Sequence, residues 1–495
     1  MHPPERQELT TMYDVIKASR NLVGPLVLVV GLLSFNASRT WGLTVRVDMQ
    51  RRIGAVRPLH GVNNGPLDFG GLIDLTESYR RIAVPHIRLH DCQWPDPDLV
   101  DVHTIFPDMS KPADRPESYR FAKTDAYLAA ATRTGAKLVY RLGESIEHTR
   151  RKHHVAPPAD PDQWAAVCMG IIRHYTQGWA DGYRYDIPYW EIWNEPENRP
   201  NMWTGTDEDY YRLYTVAARR IKTAFPHLRV GGPAVGAPGQ FVDGRLIPSP
   251  FLEAFLRHCR EHAAPLDFFS WHTYSADPFE YGRRARAIRA WLDANGFEKT
   301  ELHLNEWNYL PDEDWSALGL ASQGPARQRW FARQGGPEGA AFLTAVLIDL
   351  QDSPIDVANY YSGDTNLFGL FNRYGTPKKT WYAMAAFARL LETPHRVQAV
   401  HDRPGHVAVC AATNAANTRL NLLLAVLGGD ETEATVHVSG LEPTGPRPWS
   451  ILRVDADHDL EPSVIGNLTD ERLHLENLRP PCVVLLQVGV NPSTR

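Results

Sequence analysis

The chain has 495 residues, 43% of them apolar and 22% charged, an ordinary globular mix that excludes a disordered, collagenous or coiled-coil protein. Its 52 basic and 58 acidic residues give a formal charge of −6, without the basic footprint that a nucleic-acid partner requires. The five cysteines (Cys92, Cys168, Cys259, Cys410 and Cys482) are far apart and form no Cys-x-x-Cys pair, so neither a disulfide scaffold nor a structural zinc site is encoded.

Residues 1–41 read as a leader. Its apolar run Leu22–Phe35 follows Lys17 and Arg20 and is too short to span a bilayer, but it fits a signal-peptide core. It predicts a secreted or periplasmic protein without a transmembrane anchor. The alternative is a buried strand of a cytoplasmic protein. Asn36-Ala37-Ser38 and Asn467-Leu468-Thr469 are glycosylation sequons.

In residues 42–57, Leu43–Asp48 alternates apolar and polar as a half-buried strand does. Residues 58–392 then carry eight short β-like runs: Leu59–Asn63, His86–His90, Lys137–Leu142, Ile187–Asn194, Leu228–Pro233, Leu266–Tyr274, Glu301–Glu306 and Ile355–Tyr361. Helical patterns separate them. In Asp207–Ala224, for example, Tyr210, Tyr211, Leu213, Tyr214, Ala217 and Ile221 share one face. Strands alternating with helices imply parallel pairing, and eight such units predict an α/β fold, a closed (β/α)8 TIM barrel. Residues 393–495 lose the helical texture. Val397–Ala411, Leu420–Val426, Ala434–Val438, Trp449–Val454 and Val483–Val488 predict a β-sandwich, which Leu43–Asp48 joins from the other side of the barrel.

A parallel barrel places its active site at the C-terminal ends of its strands. Strand four ends Trp190-Glu191-Ile192-Trp193-Asn194-Glu195-Pro196, where Pro196 stops the strand and leaves Glu195 at the lip. Strand seven ends Leu302-His303-Leu304-Asn305-Glu306-Trp307-Asn308, with Glu306 at its lip. Taken singly, each glutamate reads equally well as a surface loop residue. Together, across one mouth, they are the minimum equipment of a glycosidase: one a protonated acid, the other an ionised nucleophile.

His60-Gly61-Val62-Asn63-Asn64-Gly65-Pro66, Ile87-Arg88-Leu89-His90-Asp91, Trp193-Asn194-Glu195-Pro196-Glu197 and Leu304-Asn305-Glu306-Trp307-Asn308 occur in order from strand one to strand seven. In these motifs the chain resembles clan A glycoside hydrolases, and more specifically family 39, the β-xylosidase and α-L-iduronidase family, whose barrel also carries a β-sandwich built from both termini. The resemblance implies Glu195 as acid/base and Glu306 as nucleophile. It implies Asn194 on the sugar 2-hydroxyl and His90 and Asp91 on glycone hydroxyls. His272 and Tyr274 end strand six beside the nucleophile strand, where the Tyr274 hydroxyl would donate to Glu306. For His90 and His272 the alternative is a buried imidazole satisfied by backbone. Trp203, Trp307, Trp315 and Phe371 are candidate sugar-stacking rings or simply core. Arg141 and Glu144, after strand three, are expected to pair with each other or to touch substrate.

The strand-eight loop departs from the xylosidase pattern, since it carries one acid, Asp364, where those enzymes have neighbouring acids that hold the terminal sugar. Asp364 is the expected glycone contact. The expected activity is that of a retaining hydrolase of the xylan 1,4-β-xylosidase type acting on an oligosaccharide or glycoside. An α-L-arabinofuranosidase, an α-L-iduronidase-like or an endo-acting enzyme stands as the alternative. A non-enzymatic polysaccharide-binding barrel has no need of both carboxylates and Asn194. A retaining mechanism sets the two carboxyls about 5–5.5 Å apart, and burial beside Glu306 is expected to raise the Glu195 pKa.

No cofactor or metal is expected. There is no phosphate loop, and Gly231–Gly236 does not spell a dinucleotide fingerprint. His258 and His262 share a helix face without an HExxH motif, His153 and His154 read as a basic surface loop, and no Ser or Cys nucleophile motif is present.

Overall fold

The computed structural model describes residues 42–490, apart from 94–97, 147–148, 320–321, 323, 441–446 and 469–470. The run Leu22–Phe35 and the sequon at Asn36 therefore lie outside the described residues. Eight parallel strands close into a barrel in chain order: Gly61–Asn63, His86–Leu89, Lys137–Leu142, Tyr189–Ile192, Arg229–Val235, Phe268–Ser275, Glu301–Tyr309 and Val357–Tyr360. All eight overlap the runs expected from the sequence. They are covered by helices outside and by each other inside, so they are buried along nearly their whole length, as in Lys137–Leu142 and Glu301–Tyr309.

Local chemistry sets the helix ends. Asp207–Ala224 begins with a reciprocal capping box between Thr206 and Asp209 and buries Tyr210, Leu213, Tyr214, Ala217 and Ile221. Pro161–Gln177 starts with Asp160 accepting from the Asp162 amide and stops at Gly178, whose φ of 77° suits a left-handed cap.

The C-terminal region forms one hydrogen-bonded sheet of nine strands. From one edge to the other they are Asp459–Leu468, Arg447–Val454, Cys482–Val488, Leu420–Val426, Val407–Thr413, His395–His401, Leu43–Ala55, Ala434–Ser439 and Arg472–Leu475. The sheet closes over a core of its own that includes Val45, Val47, Leu422, Leu424, Val436, Val484 and Leu486, which makes it the sandwich. The opposite faces of its central strands, Leu423, Ala425, Val483 and Leu485, join the barrel core. Burial on both faces explains why Leu420–Val426 and Cys482–Val488 are buried at every position, whereas Leu43–Asp48 and Ala434–Ser439 alternate.

Three details correct the sequence reading. The run Val397–Ala411 is two strands, His395–His401 and Val407–Thr413, separated by a turn in which Gly405 has φ 82°. Two edge strands, Asp459–Leu468 and Arg472–Leu475, were not anticipated. The N-terminal strand runs on to Ala55, pairing antiparallel with His395–His401 and parallel with Ala434–Ser439. Among the described residues no helix is long and apolar enough to cross a membrane.

Candidate active site

Glu195 leaves strand four in a strained turn. Trp193 and Glu195 have φ of 71° and 43°, a left-handed region costly for residues with a Cβ. The Glu195 amide donates to the Ala234 carbonyl at 3.0 Å and the Trp193 amide to Leu142 at 2.7 Å, which tie the turn to strands five and three. Gly236 lies against the Glu195 carboxylate: a methyl group on it would meet Oε1 at 2.5 Å. Glu306 sits within strand seven, opposite His272 of strand six. Its Oε1 accepts from the Tyr274 hydroxyl at 2.7 Å. One oxygen of Glu195, one oxygen of Glu306 and a ring nitrogen of His272 all lie within 4.8 Å of one another.

Arg88, absent from the expected site residues, holds this group together. It is fully buried. Its Nε donates to Glu191 at 2.7 Å, Nη1 to Asn63 at 3.1 Å and to Glu306 Oε2 at 3.2 Å, and Nη2 to Asn194 Oδ1 at 2.7 Å. The guanidinium thus faces the Glu306 carboxylate and turns the Asn194 amide so that its NH2 remains the donor. Glu191, buried on strand four just ahead of the turn that carries Asn194, balances the arginine charge and also accepts from Asn305 at 2.5 Å.

His272 stands between the two glutamates, with Nδ1 2.8 Å from Glu195 Oε1 and Nε2 3.8 Å from Glu306 Oε2. Burial disfavours charge on the imidazole, but the charge of Glu306 and the hydrogen bond and charge of Glu195 outweigh it and raise the His272 pKa. For Glu195 burial is the largest single effect and pushes upward. The hydrogen bond and charge of His272, the Asn198 amide at 2.8 Å and the charge of Arg88 together hold it below the ordinary value. This runs against the expected rise of the Glu195 pKa: Glu195 is held below its ordinary value and His272 above its own, so the two share a proton as a pair.

Around this centre, His90 Nδ1 accepts from Arg141 Nε at 3.2 Å, and Nε2 lies 3.3 Å from Asp91 Oδ1. Burial, with Arg88 and Arg141 nearby, holds the His90 pKa well below its ordinary value, so the ring is neutral. Asp91 is pushed up to about 7 by burial and by the Glu306 charge. It accepts from the Ile146 amide at 3.0 Å and from the Tyr361 hydroxyl at 3.1 Å. Arg141 and Glu144 do not pair with each other: Arg141 bonds Asp101 at 2.5 Å, and Glu144 bonds His103. Asp364 is buried, accepts from Ser362 Oγ at 2.5 Å and from the Asn366 amide at 3.2 Å, and is pushed up to about 7 by burial and by the neighbouring charge of Asp68. Asp68 comes from the loop after strand one and bonds Thr365. A second buried carboxylate, on a different loop, therefore neighbours Asp364.

The stacking candidates separate clearly. Trp203, Trp307 and Phe371 are fully buried. Trp307 packs edge-on to Tyr281 and Tyr360, so the reading of it as a substrate-binding ring is corrected to a core residue. Trp315 is 44% exposed, with its ring edge-on to Tyr274 at 4.9 Å. Among the described residues, two groups of side chains have converging atoms that could hold a cation: Glu195, His272 and Glu306, and Asp101, His103 and Glu144. In each a guanidinium, Arg88 or Arg141, already neutralises one carboxylate and would repel a second cation.

The sequence model of Glycosyl hydrolases family 39 matches residues 74–419. A beta-xylosidase of Geobacillus stearothermophilus is 27% identical over 268 residues, 48% of this chain and 48% of that protein, so the match spans about half the length of that relative. A glucosidase from Croceicoccus marinus has a similar structure, with a TM-score of 0.75 and 25% identity over 91% of this chain and 99% of that one. A monomeric beta-xylosidase from Caulobacter crescentus CB15 shares the fold, with a TM-score of 0.66 and 18% identity over 90% and 99% of the two chains. With the family motifs carried on a closed barrel and the family model matching well over half of its residues, the chain belongs to Glycosyl hydrolases family 39.

Proposed function

We propose that the protein is a retaining glycoside hydrolase that removes a terminal xylose from a xyloside or xylo-oligosaccharide. The observation that carries this reading is the approach of Glu195 and Glu306 oxygens to within 4.8 Å across the barrel mouth. That spacing suits direct attack by a carboxylate, whereas an inverting enzyme separates its carboxyls by roughly 6.5–9.5 Å to admit a water.

In the first step Glu306, aimed by Tyr274 and Arg88, attacks the anomeric carbon and forms a glycosyl ester. The bond to the leaving oxygen breaks as that oxygen takes the proton shared by Glu195 and His272. In the second step Glu195, now ionised, takes a proton from water. The water oxygen attacks the anomeric carbon, the ester breaks, Glu306 is regenerated, and the sugar leaves with its configuration retained. The Asn194 NH2 is placed to donate to the 2-hydroxyl, a contact that strengthens in the transition state. His90, Asp91 and Asp364, with Asp68, are the proposed glycone contacts.

A second glycone, glucose, is favoured by the likeness over 91% of the chain to a glucosidase. The two sugars differ by the hydroxymethyl group on C5. Rates on nitrophenyl xyloside, glucoside, arabinofuranoside and iduronide decide. The highest kcat/KM is expected on the xyloside; a glucoside preference selects the second reading, and no turnover of any overturns both. Export directed by Leu22–Phe35 is part of the same proposal, tested by locating the protein after cell fractionation.

A further inference from the structure

Glu197 stands two residues beyond Glu195, yet its bonds go to another strand. Its Oε1 accepts from the Gly236 amide at 2.6 Å and from the Ala237 amide at 3.0 Å, at the end of strand five. That short segment meets Glu195 twice. The Ala234 carbonyl accepts the Glu195 amide, and Gly236 presents a bare Cα to the carboxylate where a methyl would lie 2.5 Å from Oε1. Ala234 and Glu195 both have left-handed backbones, with φ of 54° and 43°, so the junction persists only if its surroundings hold it. The other oxygen of Glu197, Oε2, is buried and has no hydrogen-bond partner among the described residues.

We propose that Glu197 is a positioning residue for the acid/base: by pinning the Gly236–Ala237 backbone it fixes where the Glu195 carboxyl sits, and its negative charge strengthens the hold of the Glu195–His272 pair on its proton. This rests on the reading of Glu195 as acid/base. The groups facing Glu197 are Glu195 from its own loop, His272 from strand six, the Tyr210 hydroxyl from the helix Asp207–Ala224 and the two amides from strand five. Burial, then the Glu195 charge, pushes the Glu197 carboxyl up to about 7, so its charge develops in the neutral range where the pair must keep its proton.

The test compares Glu197→Ala, Glu197→Gln and Glu195→Ala with the intact protein, on a dinitrophenyl and an alkyl glycoside of the sugar it prefers. Glu197→Ala is expected to lower kcat/KM by roughly 10²-fold on the alkyl glycoside, the loss that an ångström of misplacement produces, and by less than about tenfold on the dinitrophenyl glycoside, which needs little protonation. Glu197→Gln keeps an oxygen for the two amides. It is expected to restore most of the alkyl-glycoside rate while moving the basic limb of kcat/KM to lower pH. Equal losses on both substrates, or an unmoved basic limb in Glu197→Gln, overturn the proposal. If Glu195→Ala itself shows no difference between the substrates, the acid/base reading falls; if it does and Glu197→Ala does not, the positioning proposal alone falls.

Discussion

Replacing His272 by Asn removes the imidazole that lies between the Glu195 and Glu306 carboxylates while leaving a polar side chain of similar reach. In the intact protein the Glu195–His272 pair binds one proton, and that proton is lost only as pH rises through the elevated His272 value. In the variant the proton sits on Glu195 alone and is lost at the lower pH of a carboxyl group. The contact at stake is a charge-assisted bond of 2.8 Å. Such bonds contribute about 1.5–3 kcal/mol, and each pH unit corresponds to 1.36 kcal/mol. The basic limb of kcat/KM should therefore fall by roughly 1–2 pH units. Above that limb, hydrolysis of alkyl glycosides should slow about ten- to hundredfold, while dinitrophenyl glycosides are largely spared. The assay is kcat/KM against pH on both substrates. A basic limb that stays in place in His272→Asn refutes the idea that the pair stores the proton.

Arg88→Met should destabilise the protein by about 3–5 kcal/mol, because it strands the buried Glu191 carboxylate without its partner; a thermal or denaturant unfolding loss below about 1 kcal/mol contradicts the buried network. Tyr274→Phe removes the 2.7 Å donor to Glu306 and should cut kcat/KM about ten- to hundredfold on aryl and alkyl glycosides alike; losses confined to alkyl glycosides would move Tyr274 to the acid/base. Asp91, raised to about 7, binds a proton more tightly folded than unfolded. Its contribution to stability is full below about pH 4 and is lost as pH rises through about 7. Asp91→Asn should flatten the fall in unfolding midpoint across that window; an unchanged slope contradicts the burial of its charge.

Much of this site was legible from where strands stop. The runs ending at Pro196 and at Glu306 pointed to the right barrel mouth, although strand four stops at Ile192, ahead of the turn that carries Glu195, and strand seven runs past Glu306 to Tyr309; the alternation of Leu43–Asp48 placed the N-terminal strand in the sandwich. Arg88 was not visible in the same way. Its partners, Asn63, Glu191, Asn194 and Glu306, come from strands one, four and seven, and only barrel closure brings them to one guanidinium. The available signal was a charged residue inside an otherwise apolar parallel strand, where burial demands paired charges. The Glu195 pKa ran against expectation for a related reason: burial alone argues upward, and the opposing His272 and Asn198 contacts depend on the register of strand six and the turn after strand four. In the sandwich, Asp402-Arg403-Pro404-Gly405 carried turn chemistry inside what reads as one run. The edge strand Asp459–Leu468, with Pro462 inside it and the adjacent Val464 and Ile465 both exposed, lacks the apolar alternation that marks a strand.

The central claim is that Glu306 forms a covalent bond to the sugar. In a 2-deoxy-2-fluoro glycosyl fluoride of the preferred sugar the 2-fluorine slows both steps, and the good fluoride leaving group restores the first, so the intermediate accumulates. Peptide-mapping mass spectrometry of the treated protein should find one fluoroglycosyl group on the peptide that carries Glu306, lost again on incubation with an acceptor sugar. An adduct on Glu195 or Glu197, or turnover without any adduct and with inversion of configuration, would contradict it.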